Sequence, residues 1–212
     1  MKLQLREFLN DIREGERIFI EYESTSHPEL SLDGLVKWSN EEGMPLLIVD
    51  MLDTFHLFVQ QLRFLGYSTH HLENLCVIKG GGKVEFGKVI GRVRIMEEFY
   101  VQLKEYTDAV RLFFEKVKSD KAVIVFLGTE KFMYSFQESS YRVEEYFEKV
   151  VRSPLFKGNM IFVFALKGLM SAQVKALWHE SSTRVLEING RGDRFFIKKA
   201  PKPDHLDGVI EL

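Results

Sequence analysis

Polar and charged side chains follow the apolar segments of this sequence, at positions where the strands of an α/β sheet would end. In open sheets of this kind, ligands bind beyond the carboxyl ends of the strands. The sequence therefore predicts a candidate ligand-binding rim that contains Glu23, Ser24, Thr25, Ser26, Asp50, Asp53, Lys79, Gly80, Gly81, Gly82, Lys83 and Glu130, with Thr129, Lys131 and Lys167 also at strand ends.

Four residues of this predicted rim are carboxylates: Glu23, Asp50, Asp53 and Glu130. Because hard divalent cations prefer oxygen ligands, a cluster of these groups could hold a metal ion and support metal-dependent hydrolysis. The structural alternative is that Asp53 caps a helix, Asp50 lies solvated at a strand end and Glu23 pairs with a nearby Lys or Arg. We favour the alternative and assign no metal site, no cofactor and no catalytic residue.

The run from Lys79 to Lys83 is the best remaining candidate for contact with a phosphate or a nucleotide. Backbone N–H groups of its three glycines could wrap an anion, flanked by the two lysine ammonium groups. No helix is predicted to begin directly after this run, so we favour a flexible turn as the explanation of the glycines.

The segment from Arg17 to Glu29 predicts a buried strand, a tight polar loop and the start of a helix. In nucleotide-binding α/β proteins, a G-x-x-x-x-G-K-[ST] phosphate loop occupies this place. The loop here has neither glycine nor lysine, and Pro28 lacks a backbone donor. Glu23 and Glu29 add negative charge where phosphate would bring more. The sequence therefore predicts a nucleotide-binding fold without a working phosphate loop.

Apolar runs alternate with amphipathic helical patterns along the chain. This pattern predicts a single domain over residues 1–212, an α/β protein that forms a three-layer α/β/α sandwich with a mostly parallel sheet and antiparallel strands at the C-terminus. Strands are predicted at residues 17–23, 44–50, 75–79, 122–127, 160–165, 184–188, 194–198 and 208–212. Helices are predicted from Leu3 to about Ile12 and at residues 30–42, 54–65, 97–118, 140–151 and 171–179, and residues 84–95 are predicted to be an extended edge hairpin.

Composition excludes several classes of function. The formal net charge is −2, with basic and acidic residues interspersed, so no general attraction to nucleic acid or to an anionic membrane is expected. No signal peptide or membrane-spanning run is recognisable. The single cysteine, Cys76, lies in an apolar strand and allows no internal disulfide. We therefore expect a cytoplasmic protein without nucleic-acid or membrane partners.

The order of these elements resembles the RecA/KaiC-like branch of the P-loop ATPases. Residues 6–20 are similar to the short helix, glycine-containing turn and strand that lead into the phosphate loop of that branch. Residues 44–66 are similar to its second strand and helix, and the last fifty or so residues to its C-terminal meander. Within the branch, the sequence resembles an uncharacterised family of hyperthermophilic archaeal proteins that has no assigned activity.

This resemblance implies a RecA-like fold and assembly through sheet edges and helix faces, but the sequence departs from the branch where its chemistry lies. The Gly-Lys-Thr of the phosphate loop (Walker A) is absent. The metal-positioning aspartate (Walker B) is replaced by Gly128 and Thr129, with Glu130 as a displaced substitute, while Asp50 and Asp53 match the catalytic carboxylate. We therefore predict a non-catalytic interaction or regulatory module that binds a protein partner or itself. The alternatives are a metal-dependent enzyme using the acidic residues and a nucleotide sensor using the glycine turn.

Overall fold

The structure, a computed structural model, describes residues 2–96 and 98–212. Within that part of the chain, ten strands form one sheet. They are β1 (Lys2–Gln4), β2 (Arg17–Tyr22), β3 (Leu46–Met51), β4 (Cys76–Gly80), β5 (Lys88–Val93), β6 (Val123–Leu127), β7 (Met160–Leu166), β8 (Arg184–Ile188), β9 (Arg194–Lys199) and β10 (Val209–Glu211).

The helices that connect these strands lie on both faces of the sheet. They are α1 (Leu5–Asn10), α2 (Pro28–Glu41), α3 (Thr54–Phe64), α4 (Phe99–Val117), α5 (Thr129–Met133), α6 (Ser140–Tyr146) and α7 (Ala172–Ser181). In the described part of the chain, none of the helices combines the length and the hydrophobicity that a membrane span requires.

The strand order is β1-β10-β9-β8-β2-β7-β6-β3-β4-β5. All neighbours pair in parallel except β8 with β9 and β9 with β10, so β9 alone runs against the others. The predicted fold class, a three-layer sandwich with a mostly parallel sheet and C-terminal antiparallel pairing, is confirmed. Because the central strands are parallel, the loops that follow β2, β3, β4, β6 and β7 all emerge at one edge of the sheet.

Two apolar clusters fill the spaces between the sheet and its helices. Successive side chains of a strand point to opposite faces, so Ile18 and Ile20 pack with α1, α2 and α3, whereas Phe19 packs with α4, α6 and α7. Burial on both faces explains why the central strands are apolar without alternation. Cys76 is buried in the cluster that contains Phe19, as its apolar neighbours in the sequence predict.

The structure corrects the predictions at both edges of the sheet. Leu3 lies in the short strand β1, which pairs with β10, and not in the opening helix, which begins at Leu5. The segment predicted as an edge hairpin contains β5, which is parallel to β4. The chain returns along β4 through residues 81–87, and the Lys88 N–H donates to the Leu75 carbonyl at 2.8 Å. An extended return of seven residues is long enough to span a five-residue strand.

One predicted helix changes its type before it ends, and another helix was not predicted. The helix predicted over residues 140–151 is α-helical only to Tyr146 and continues as a π-helical segment, Phe147–Val151. The predicted start of α4 at Glu97 lies outside the described residues. The short helix α5 was not predicted, because a five-residue helix is too short to produce a periodic apolar pattern.

A buried ion-pair cluster joins β8 to the segment before β2. Arg184 is 2% exposed, and its guanidinium donates to Glu16 (Nε to Oε2, 2.7 Å) and to Asp11 (Nη2 to Oδ2, 3.1 Å). Arg184 also lies 5.2 Å from the Phe8 ring centroid. These contacts fix the lead-in helix α1 against the sheet and thereby position β2 and the loop that follows it.

Candidate functional site

The loop after β2 carries its own negative charges. Glu23 is exposed and its carboxylate lies 2.8 Å from the Lys167 ammonium, which also pairs with Glu187 at 2.7 Å. Pairing of Glu23 with a nearby lysine is the structural alternative that the sequence analysis favoured. These two carboxylates raise the pKa of Lys167. The positive charge at the end of β7 is therefore already neutralised by the chain.

The first turn of α2, which would face a phosphate in a phosphate loop, contains a buried carboxylate. Glu29 is buried, and its Oε1 lies 2.7 Å from Nδ1 of His27, the residue that precedes the helix. Negative charge is stabilising near a helix N-terminus, where the unpaired N–H groups and the helix dipole attract anions. Glu29 supplies such a charge from within the chain, at the place where a bound phosphate would otherwise supply it.

Lys79, at the end of β4, is buried between two of the predicted rim carboxylates. Its side chain is 2% exposed, and its ammonium donates to Asp50 Oδ2 at 2.6 Å and to Asp53 Oδ1 at 2.5 Å. Asp50 Oδ1 also accepts from the Phe55 N–H at 2.8 Å, so the side chain of Asp50 caps α3. This contact corrects the expectation that Asp53 is the side-chain cap and that Asp50 is solvated.

The glycine turn after Lys79 wraps an anion, and that anion is the carboxylate of Asp53. Asp53 accepts hydrogen bonds from the N–H groups of Lys83 (2.9 Å) and Val84 (3.0 Å). Desolvation acts to raise the pKa of Asp53, but the hydrogen bonds from Lys79, Lys83 and Val84 outweigh it and lower the pKa to about 2. The predicted cradle therefore contacts a side chain of the same protein.

Gly82 must be glycine for this turn to close. Its φ of +73° lies in the region that L-residues rarely adopt, and a Cβ there would stand 2.1 Å from Asp53 Oδ1. Gly81 also has a positive φ, of +62°. The glycines are thus explained by close packing on Asp53, an explanation that neither of the two sequence-based interpretations contained.

Glu130, the candidate substitute for the metal-positioning aspartate, is buried in the second position of α5. It is 1% exposed, and neither carboxyl oxygen has a hydrogen-bond partner among the described residues. Desolvation raises its pKa to about 7, and the weaker opposing influence of the nearby backbone at Glu130 and Leu166 and of the Lys131 charge offsets only part of that effect. Gly128, with φ +76°, makes the turn from β6 into α5.

The four predicted carboxylates are thus distributed among separate contacts. Asp50 and Asp53 share Lys79, Glu23 pairs with Lys167, and Glu130 is buried without a partner among the described residues. In residues 2–96 and 98–212, no group of three or more His, Cys, Asp or Glu side chains is arranged to hold a metal ion.

A pocket of about 300 Å³ lies between the loop after β2, helix α3 and the segment after β6. Ser24, Thr25 and Ser26, three of the predicted rim residues, line it together with Tyr22, His27, Pro28, Glu29, Thr54, Leu57, Phe58, Gln61, Lys131 and Leu166. The contributions of Thr54, Leu57 and Gln61 were missed by the sequence analysis. Their three- and four-residue spacing indicates that they share one face of α3. It does not indicate that this face packs beside the loop after β2.

Inside the pocket, the Lys131 ammonium has a neutral hydrogen-bond partner, and no carboxylate of the described residues forms an ion pair with it. Its ammonium donates to Thr54 Oγ1 at 2.9 Å, and the Thr54 hydroxyl donates to the Met51 carbonyl at 2.7 Å. Among the described residues, no carboxylate oxygen lies within 4.0 Å of the Lys131 ammonium. Lys131 therefore differs from Lys79 and Lys167, whose charges are paired.

The sheet topology defines a mostly parallel α/β protein with a RecA-like fold. A similar fold is found in the flagellar accessory protein FlaH from Methanocaldococcus jannaschii, with a TM-score of 0.52 and 17% identity over 92% of this chain and 85% of that chain. The chain belongs to the family described as "Pyrococcus protein of unknown function, DUF257", which matches residues 7–206.

A solved structure from Pyrococcus horikoshii OT3, studied as project PH0250, is similar to this chain over nearly its whole length. The two have a TM-score of 0.83 and 26% sequence identity, with 99% of this chain and 98% of that chain covered. No curated protein sequence matches the chain.

Proposed function

We propose that this chain is a cytoplasmic, non-catalytic RecA/KaiC-like module that binds a protein partner, either a second copy of itself or a relative with a working ATPase site. The observation that carries the proposal is the internal pairing of charges at the strand ends. Lys79 and Lys167 are each held between two carboxylates of the chain, and the glycine turn encloses Asp53.

The parts that phosphoryl transfer needs are lacking or already engaged. The loop after β2 has no glycine and no lysine to cradle phosphates, and Glu29 lies in the helix turn that would face them. Of the two carboxylates that match the catalytic position, Asp50 binds the Phe55 N–H and Lys79, and Asp53 binds Lys79 and the glycine turn. To use the Lys79 ammonium, a bound polyphosphate would have to displace its buried ion pair with Asp50, at a cost of several kcal/mol.

The exposed side of α3 and the residues that follow it are the surface we assign to the partner. Phe64 is 82% exposed, and Leu57, Leu65 and Tyr67 are also exposed. Large apolar side chains grouped at the surface are typical of protein contact sites. This surface adjoins the pocket, because Leu57 also lines it.

The experiment is unfolding of the purified protein in a denaturant, with ATP, ADP, GTP or a cyclic nucleotide, each with and without Mg²⁺ or Mn²⁺. A ligand at a hundred times its dissociation constant would stabilise the fold by about 2.7 kcal/mol. We expect no stabilisation by any nucleotide and no hydrolysis. Stabilisation by a nucleotide would contradict the proposal in favour of the sensor alternative, and stabilisation by the metal alone would favour the metal-dependent enzyme.

A further inference from the structure

The pocket beside the loop after β2 has the dimensions and the lining of a small-molecule site. Its volume of about 300 Å³ lies at the lower end of the range for such sites. Part of its wall is a rigid aromatic pair, Tyr22 and Phe58, whose rings meet edge to face at 5.9 Å. Ser24, Thr25 and Ser26 add hydroxyl groups. The pocket thus offers an apolar surface together with a few polar groups.

Lys131 gives this pocket an available positive charge. An ammonium group has three donors, and one is used by Thr54 Oγ1 at 2.9 Å. The Thr54 proton goes to the Met51 carbonyl, so the Thr54 oxygen is held as an acceptor and fixes Lys131 in place. In the described part of the chain, no carboxylate neutralises Lys131 within 4.0 Å. A half-buried cation in this setting favours an anionic ligand.

A carboxylate in the lining favours a ligand with a single negative charge. Glu29 lines the pocket, and its Oε1 lies 2.7 Å from Nδ1 of His27, which also lines it. A carboxylate beside one available ammonium repels a polyphosphate more strongly than a singly charged group. Leu57, Phe58 and Leu166 would remain in contact with water unless the ligand also has an apolar body.

We propose that this pocket binds a small organic acid with one carboxylate and an apolar body, the carboxylate on Lys131 and the body against Phe58. The inference goes beyond the proposed function, since a protein-binding module needs no small ligand. Leu57 belongs to both the pocket and the exposed surface of α3, so occupancy of the pocket is placed to alter partner binding.

The test is a titration of the ¹⁵N-labelled protein, followed by amide chemical shifts, with isovalerate, benzoate and phenylacetate. Their primary amides serve as uncharged analogues, and inorganic phosphate and ATP as other anions. We expect saturable shifts from at least one acid, confined to residues 24–29, 54–61 and 129–131, and weaker binding of the matching amide. Lys131→Met should lower the affinity for the acid about ten- to a hundredfold, because a charge-assisted hydrogen bond is lost.

Lys104→Met is the matched control, because Lys104 is exposed on α4 and does not line the pocket. This variant should keep the affinity of the unmodified protein. The inference is overturned if none of the acids shifts these amides at millimolar concentration, or if Lys131→Met binds them as well as Lys104→Met. Binding of ATP with no binding of the acids would overturn the inference and the proposed function together. Failure of the acids alone would leave the proposed function standing.

Discussion

Glu130 is a buried carboxyl group whose protonation the fold favours. Desolvation raises its pKa from 4.5 to about 7, so between these values the folded chain binds a proton that the unfolded chain has released. The contribution to stability is therefore complete below about pH 4.5 and is lost as the pH rises through 7. Between pH 5 and pH 8 the loss amounts to about 2–3 kcal/mol.

Glu130→Gln should remove this pH dependence, because the amide is neutral at every pH. We expect the variant to be more stable than the unmodified protein at pH 8 and closer to it at pH 5, as measured by denaturant unfolding at both values. Glu138→Gln, at an exposed position, is the control and should leave the pH profile unchanged. An unchanged profile in Glu130→Gln would show that Glu130 is ionised in the folded state.

Arg184 is a second residue for which the contribution of an ion pair to the free energy of unfolding can be separated from the contribution of side-chain packing. Arg184→Met keeps much of the side-chain volume but leaves Glu16 buried without its partner, and breaking a buried ion pair in this way typically costs about 3–5 kcal/mol. The measurement is the free energy of unfolding at pH 7. Arg191→Met, at an exposed turn, should change that free energy by less than about 0.5 kcal/mol.

Adding Glu16→Gln to Arg184→Met should restore part of the lost stability, since no buried charge then remains unpaired. A double-mutant cycle measures this coupling between the two sites. Additive losses would contradict the assignment of the cost to an uncompensated Glu16 carboxylate.

The glycine turn that follows strand β4 depends on close contact with the Asp53 carboxylate. Gly82→Ala would introduce a Cβ 2.1 Å from the Asp53 carboxylate at a positive φ, so we expect a loss of about 1–3 kcal/mol in the free energy of unfolding. Gly168→Ala is the control, because nothing lies within 4 Å of its Cβ position and its φ is not positive. Equal effects of the two substitutions would contradict the close packing of the turn on Asp53.

The elements differ in how far the sequence predicts them. The central strands β2, β3, β6 and β7 are apolar runs bounded by polar residues, so their positions are predicted to within two residues. The strands β1 and β5 lie at opposite edges of the sheet, where burial is partial and the apolar pattern is weak. The β1 residue Leu3 was assigned to a helix, whereas β5 was correctly predicted as extended edge structure but with hairpin pairing in place of a parallel strand. Edge strands depend on distant pairing, which the local sequence does not encode.

Of the predicted rim residues, Ser24, Thr25 and Ser26 line the pocket, and the contacts of the other rim residues were not predicted. The rim residues do follow the strand ends, because a parallel sheet places them there. That Lys79 lies between Asp50 and Asp53 depends on the neighbouring positions of β3 and β4, and strand order is not visible in a single sequence. The contribution of α3 to the pocket depends in the same way on the packing of that helix against the loop after β2.

For the whole molecule, the proposal of a protein partner predicts a measurable association. If the partner is a second copy, sedimentation should give a mass above 24.8 kDa at high concentration, and Phe64→Glu should reduce it toward that value. Since Phe64 is largely exposed, the substitution should not change the free energy of unfolding. Tyr134→Glu, at an exposed position on another surface, is the control. A mass of 24.8 kDa at all concentrations would exclude the second copy and leave a relative as the partner.

The strand order also determines when this chain can fold during its synthesis. The central strand β2 is among the first segments to leave the ribosome, yet its neighbours β7 and β8 are made far later, at residues 160–166 and 184–188. Until then its apolar residues have no sheet to join, and contacts between such distant segments form slowly. Nascent chains that end before Met160 would expose both edges of this strand, which makes them prone to aggregation and dependent on chaperones.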